Sequence, residues 1–85
     1  MFKPLEPKEF CERWVPKKLG KHPHQYGYRK ACCQMLAELT DHQESTVNSW
    51  LSRSNKVPVV IKRYLRAVDL LWQLEEVLQK SQEDS

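Results

Sequence analysis

Apolar residues in the middle of the chain recur at helical spacing in two short runs. The first run surrounds Leu36 and predicts a helix from about Arg29 to Thr40. The second run, with Val47 and Trp50, predicts another helix after only a few polar residues. The pattern therefore predicts two short helices joined by a tight turn.

The start of the second helix has two candidate capping residues. Asp41 is followed three residues later by Glu44, which fits a capping box. Thr40 with Gln43 is a competing pair at the same spacing. Either pair places the beginning of the second helix within one residue of position 41.

A long helical segment follows, with Pro58 in its first turn. Its apolar side comprises Val60, Ile61, Tyr64, Leu65, Val68, Leu71, Trp72 and Leu78. Further apolar residues lie off that side, so this helix has more apolar surface than one core needs. It either packs twice, against the paired helices and the Phe10/Trp14 segment, or forms a homodimer. The residues expected in a dimer or partner seam are Leu70, Leu74, Val77 and Leu78.

The N-terminal third predicts one short helix and a basic loop. Pro7 fits the first position of a helix that carries Phe10 and Trp14 on one face, and Pro16 is expected to end it. A loop over 19–28 follows. We expect a single all-α domain, a small helix-turn-helix bundle of four to five helices. Its parts are an N-terminal segment (1–28), a core with the long C-terminal helix (29–79) and an acidic tail (80–85).

Charge is unevenly distributed along the 85 residues, although the net charge is only +3. The stretch from Arg13 to Lys30 contains six basic residues and no acid, whereas 69–85 is mainly acidic. This distribution suits a protein that meets an anion with one face. The basic stretch from Lys17 to Lys30 is also a candidate arm on a duplex.

Several classes of function find no support in the sequence. There is no signal-like N-terminus and no apolar run of membrane-spanning length, so we expect a cytoplasmic protein without membrane contact. Gly-rich phosphate loops and nucleophile motifs are missing, which argues against an enzyme. The candidate zinc ligands lack the paired spacing of a metal site, so we expect no metal and no cofactor. They are Cys11, His22, His24, Cys32 and Cys33.

The segment from about Arg29 to Leu71 resembles the lambda-repressor-like, Cro-type helix-turn-helix family. The resemblance is carried by Leu36-Ala37-Glu38, by Ser45-Thr46-Val47 with Trp50, and by Val57-Pro58 with Tyr64-Leu65. In that family the second paired helix enters the major groove. The resemblance then implies base-reading positions at Gln43, Glu44, Ser45, Asn48 and Ser49, and phosphate contacts from Arg29, Lys30, Arg53, Asn55 and Lys56. Asp41 stands where the family usually has glycine, and Thr40 and His42 replace apolar residues.

These observations predict a transcriptional regulator that binds double-stranded DNA. Asn48 suits adenine, Ser45 suits any base, and Glu44 can accept a hydrogen bond from cytosine N4. The alternative is a helix-turn-helix fold that acts as a protein-interaction module of a larger assembly and docks through Trp72, Leu74 and Leu78. A homodimer would suit DNA binding, because two copies read half-sites one helical turn apart.

Overall fold

The chain folds into helices joined by short connections. The computed structural model describes residues 3–53 and 56–83, with side chains up to residue 81. Within these ranges the structure is all-helical with a long C-terminal helix, as predicted. The elements are α1 (Pro7–Leu19), α2 (Tyr28–Thr40), α3 (Glu44–Ser52) and α4 (Val59–Glu83). Because α4 continues to Glu83, most of the predicted acidic tail is part of this helix.

α1 is the central element of the core and packs against each of the other three helices. Phe10, Trp14 and Val15 are fully buried. The prediction that Pro16 ends this helix is wrong, because the helix continues to Leu19. A proline removes only its own N–H, and the backbone N–H of Gly20 still donates to the Pro16 carbonyl over 3.1 Å. Lys17 and Lys18, predicted to begin a basic loop that could act as an arm on a duplex, belong instead to the last turn of this helix.

α4 contributes one buried row to the core, formed by Ile61, Leu65 and Val68 with the half-buried Trp72. The Trp72 ring lies 5.4 Å from the Phe10 ring and 5.2 Å from the Trp14 ring, centre to centre. The apolar side predicted for this helix is therefore too wide. Its other members are exposed: Val60, Tyr64, Leu71 and Leu78.

A buried carboxylate joins α1 to α4 beside this aromatic cluster. The Asp69 side chain is inaccessible to solvent, and Arg13 Nη1 and Trp14 Nε1 of α1 each donate to its Oδ1 over 2.8 Å. From α4 itself, Arg66 Nη1 and Gln73 Nε2 donate to Oδ2 over 2.9 and 2.8 Å. Burial alone would raise the pKa of Asp69, but the hydrogen bonds from Trp14 and Arg13 outweigh it and lower the pKa below its usual value.

The turn between α2 and α3 spans only residues 41–43. Asp41 ends α2 in the left-handed conformation (φ 56°, ψ 42°), and the N–H groups of Asp41 and His42 both donate to the Ala37 carbonyl. The predicted capping choices, Asp41 and Thr40, are both wrong, since Gln43 occupies the N-cap position of α3. Asp41 is already used as the left-handed cap of α2.

The two polar residues beside Asp41, Thr40 and His42, each contact another part of the structure. Thr40 Oγ1 donates to the Leu36 carbonyl over 2.7 Å, one helical turn back. The His42 ring packs edge-on against Trp50 of α3, with ring centres 5.0 Å apart. The His42 ring is therefore held against α3 by contact with an aromatic ring.

No helix in the described ranges combines the length and apolar character needed to cross a membrane.

Candidate nucleic-acid interface

An open cleft of about 580 Å³ lies between the N-terminal ends of α2 and α3. Five of the residues predicted to contact DNA line it together, two from the phosphate set and three from the base-reading set. They are Arg29, Lys30, Glu44, Ser45 and Asn48. The remaining lining residues are Tyr26, Gly27 and Cys33. The short turn causes this convergence, because it brings the exposed face of α3 beside the first turn of α2.

Arg29 ties α2 to α3 across the floor of this cleft. Its Nε and Nη2 groups donate to Asn48 Oδ1 over 3.0 and 2.8 Å. Nη2 also donates to the Asn48 carbonyl over 3.1 Å and to Ser52 Oγ over 2.9 Å. These bonds hold one edge of the guanidinium against α3, while Nη1 has no partner within the described part of the chain.

The arginine contact changes which hydrogen bonds Asn48 can offer to a ligand. Two N–H groups of Arg29 occupy its amide oxygen, and the Cys33 thiol lies 3.8 Å from the same atom. Its amide NH₂ remains available, so in this arrangement Asn48 presents donors only. Paired recognition of adenine needs both the oxygen and the NH₂ of an asparagine. That pairing therefore requires the Arg29–Asn48 contact to open.

The first turn of α2 is strongly electropositive. Arg29 and Lys30 are both exposed there, and the turn contains no acidic residue. Helix N-termini carry a partial positive charge and N–H groups without helical partners, so two cations add to an existing positive field. Gly27 precedes the turn in the left-handed conformation (φ 88°) and contributes no capping side chain. This wall of the cleft suits an anion.

The opposite wall is polar and carries one negative charge. Glu44 lies in the first turn of α3, where a carboxylate is stabilised by the helix dipole. Ser45 is exposed one position further on. The cleft therefore offers cations on one side and a carboxylate with a hydroxyl on the other, an arrangement that constrains how a polyanion can approach.

The other predicted contact residues lie outside the cleft. Gln43 is exposed at the N-cap of α3, and Ser49 is half-buried on the same helix. Arg53 and Lys56 are exposed in the connection after α3. Asn55 lies outside the described residues. The structure thus brings the cleft residues together and leaves Arg53 and Lys56 on a neighbouring part of the surface.

Sequence reasoning did not identify Tyr26 as part of this site. Its side chain is 99% exposed at the rim of the cleft. A tyrosine with no contact to its own core offers a flat apolar ring and a hydroxyl to a ligand. The sequence does contain one indication of this role. Tyr26 is an aromatic residue in a loop whose neighbouring residues are mostly basic, polar or typical of turns.

The three cysteines lie in the interior near this site and are reduced. A hydrogen bond with Cys32 raises the pKa of Cys11, and the same contact lowers the pKa of Cys32. Burial raises the pKa of Cys33, with Arg29 opposing the shift. Among the described residues, no group of three or more histidine, cysteine or acidic side chains is placed to hold a metal ion.

Comparison with known proteins identifies no relative of this chain. No protein-family model, no curated protein and no solved structure matches the chain. The resemblance to the Cro-type family therefore stays a prediction, and the site has to be interpreted from its own chemistry.

Proposed function

We propose that this protein binds double-stranded DNA through α3 and the cleft beside it, and regulates transcription in that way. The observation that carries the proposal is the convergence of Arg29 and Lys30 with Glu44, Ser45 and Asn48 on one cleft. Phosphate contacts position a protein on a duplex, and polar side chains on base edges supply sequence preference. Both kinds of group are present on adjoining walls.

The distribution of exposed cations fits a backbone that passes along both ends of α3. Lys30 lines the cleft together with Glu44 and Ser45 at the start of the helix. The Arg29 guanidinium lies along its later half, bonded to Asn48 and Ser52, and Arg53 and Lys56 follow its end. α3 spans nine residues, or about 13 Å at 1.5 Å per residue, comparable to the width of the major groove. In this mode the exposed side chains of α3 face the base edges.

The salt dependence of binding to random-sequence duplex DNA tests this proposal. Each phosphate contact releases condensed counterions, so the logarithm of the binding constant falls with the logarithm of salt concentration by about 0.9 per contact. We expect Lys30→Ala and Arg53→Ala each to reduce that slope by about one. Fluorescence anisotropy of a labelled duplex across a salt series gives the slopes directly.

Lys80→Ala is the matched control, because Lys80 is an exposed cation in the last turn of α4, far from the cleft in sequence. This variant should keep the wild-type slope. Absence of binding to any duplex at low salt would refute the proposal, and so would slopes that fall equally in all three variants.

A protein-interaction module is the second candidate, and the exposed apolar residues of α4 favour it. Leu74 and Leu78 are 55% and 54% exposed, as this interpretation requires. Trp72 does not fit it, because its ring is packed on Phe10 and Trp14. If a partner protein docks on α4, the Leu74→Glu variant should lose that docking. If the protein binds DNA through α3, the same variant should bind a short duplex with a single site as tightly as the wild type does.

A further inference from the structure

α4 carries an apolar row on a side that is exposed to solvent. We refer to it as the outer α4 row, and it consists of Val60, Tyr64, Ala67, Leu71, Leu74 and Leu78. All six are exposed, and the five larger side chains are between 44% and 69% accessible. Their spacing alternates strictly between four and three residues, which is the heptad repeat of a coiled coil. Such a repeat on an exposed face is typical of a helix that packs along another helix.

The rest of the molecule leaves this row open. Contacts from α1 reach α4 at Trp72 and Asp69, and the N-terminal segment reaches it where the Leu5 N–H donates to the Lys62 carbonyl. On a helical wheel with 100° per residue, the outer α4 row is centred about 110° from the buried row that includes Leu65. A second helix can therefore lie along it without displacing the core.

The sizes of the side chains in the row favour an antiparallel partner. In an antiparallel pair of identical helices centred on position 69, Ala67 faces Leu71 of the second copy, so a small side chain meets a large one. The outer layers then pair Tyr64 with Leu74 and Val60 with Leu78. In a parallel pair every residue faces its own copy, and Ala67 against Ala67 leaves a gap beside the larger layers. The volumes of the layers are therefore more even in the antiparallel arrangement than in the parallel one.

Charge favours the same orientation. Arg63 and Glu75 are exposed beside the two ends of the outer α4 row. On a helical wheel these two residues lie on opposite flanks of the row, so no close ion pair forms across the seam. An antiparallel pair nevertheless places Arg63 of one copy at the same level along the axis as Glu75 of the other, a weak attraction at that distance, whereas a parallel pair brings like charges to the same level. The dipoles of two antiparallel helices also oppose each other favourably.

We infer that the outer α4 row is a homodimer seam, in which α4 packs antiparallel against α4 of a second copy. Of the residues predicted from the sequence for a seam, Leu74 and Leu78 belong to the row. Leu70 is half-buried, and Leu70 and Val77 lie on the flank of the row. The inference rests on α4 alone and holds whether or not the α3 cleft binds DNA.

Sedimentation equilibrium at about 10 to 100 µM protein tests the seam, a range in which a short coiled coil of modest affinity associates. We expect a dimer mass for the wild type. Leu71→Glu places a charge in the central layer of each helix and should weaken the dimer by about 100-fold or more. Because Leu71 is exposed in the monomer, this variant should keep its helical circular dichroism spectrum.

Val59→Glu is the matched control, since Val59 is an exposed apolar residue of α4 that lies off the row. It should remain dimeric. A wild type that is monomeric at about 100 µM would overturn the inference, as would a dimer that survives Leu71→Glu or one that Val59→Glu disrupts equally.

Disulfide trapping tests the orientation. Positions 60 and 78 lie about 27 Å apart along one helix, at 1.5 Å per residue. When Val60→Cys and Leu78→Cys variants are mixed and oxidised, an antiparallel seam gives the mixed 60–78 cross-link. A parallel seam gives 60–60 and 78–78 cross-links instead and would overturn the antiparallel assignment. The native cysteines are buried, so peptide mass spectrometry can assign the new bonds.

Discussion

Asp69 is the residue on which the contact between α1 and α4 depends most. It accepts hydrogen bonds from Arg13 and Trp14 on one side and from Arg66 and Gln73 on the other. A buried charge is tolerated only when such partners replace the water that it loses. Two of these partners are arginines that remain partly exposed, so the negative charge is balanced at the edge of the core rather than inside it.

Asp69→Asn should lower the free energy of unfolding by about 2 kcal/mol or more at neutral pH, because asparagine keeps only one acceptor oxygen. The hydrogen bond to one arginine is then lost, and the bond to the other is no longer between two charges. The folded-state pKa of Asp69 lies below its unfolded value. Its contribution is therefore complete above the unfolded pKa of about 4 and is lost as pH falls through the folded value. Urea titrations from neutral to acidic pH measure both effects.

Glu12→Gln is the control, because it also replaces a carboxylate by an amide, but at an exposed position of α1. Its stability near neutral pH should stay close to wild type. A stability profile for Asp69→Asn that falls in acid as steeply as that of the wild type would contradict the role given to this carboxylate.

Neither Asp69 nor Tyr26 could be assigned its role from the sequence. Asp69 begins the acidic C-terminal stretch, and its partner Trp14 lies 55 positions earlier. A local pattern carries no information about such a pairing. Asn48 was predicted as a base-reading position on the exposed face of its helix, but the occupation of its amide oxygen depends on Arg29 of another helix. Spacing predicts the direction of a side chain, whereas its available donors and acceptors depend on tertiary contacts.

At the scale of elements, the α2–α3 turn depends on Asp41. This residue is held at φ 56°, a conformation that glycine adopts at little cost and other residues adopt only with strain. The structure accepts that strain because the left-handed residue turns the chain sharply enough for Val47 and Trp50 to reach the core.

Asp41→Gly should raise the free energy of unfolding by about 0.5 to 1 kcal/mol, because glycine removes the left-handed strain. Urea denaturation followed by circular dichroism measures the change. As a matched glycine control, Glu38→Gly in the exposed interior of α2 should lower stability by about 1 kcal/mol. Destabilisation by both variants would mean that the Asp41 side chain contributes more than its backbone conformation costs.

The helices themselves were largely predictable, and their faces were not. Helical spacing predicted α2, α3 and the long α4, although the predicted caps placed the beginning of α3 too early. The end of α1 was misplaced because Pro16 breaks one hydrogen bond in a helix that tertiary packing sustains. On α4 the pattern contained two apolar stripes, one for the core and one outside it. Spacing alone could not separate them, since both have helical periodicity, and the position of α1 decides which one is buried.

At the scale of the whole molecule, the interior encloses all three cysteine side chains. Cys11 and Cys32 are each 1% exposed and Cys33 is 7% exposed. A thiol reacts as the thiolate, and burial together with the raised pKa of Cys11 and Cys33 opposes that form. Their reactivity should therefore report the integrity of the packed core.

We expect an aromatic disulfide reagent to modify the three thiols slowly in the native protein and rapidly in urea, with the change following the unfolding transition. A Ser45→Cys variant, with its new thiol exposed in the cleft, should add one fast-reacting group without changing the slow ones. Rapid modification of all three native thiols in the absence of urea would mean that the core opens locally around α1 and α2.

The central position of α1 also determines the order in which the protein can fold. α2 and α3 are neighbours along the chain and can meet early, since short loops close rapidly. α1 is synthesised before α4, yet α4 supplies its most distant partners. During synthesis Phe10 and Trp14 must remain without that cover until α4 has left the ribosome, a state prone to aggregation. The bond from Trp14 to Asp69 can therefore form only late, after more than fifty intervening residues have been made.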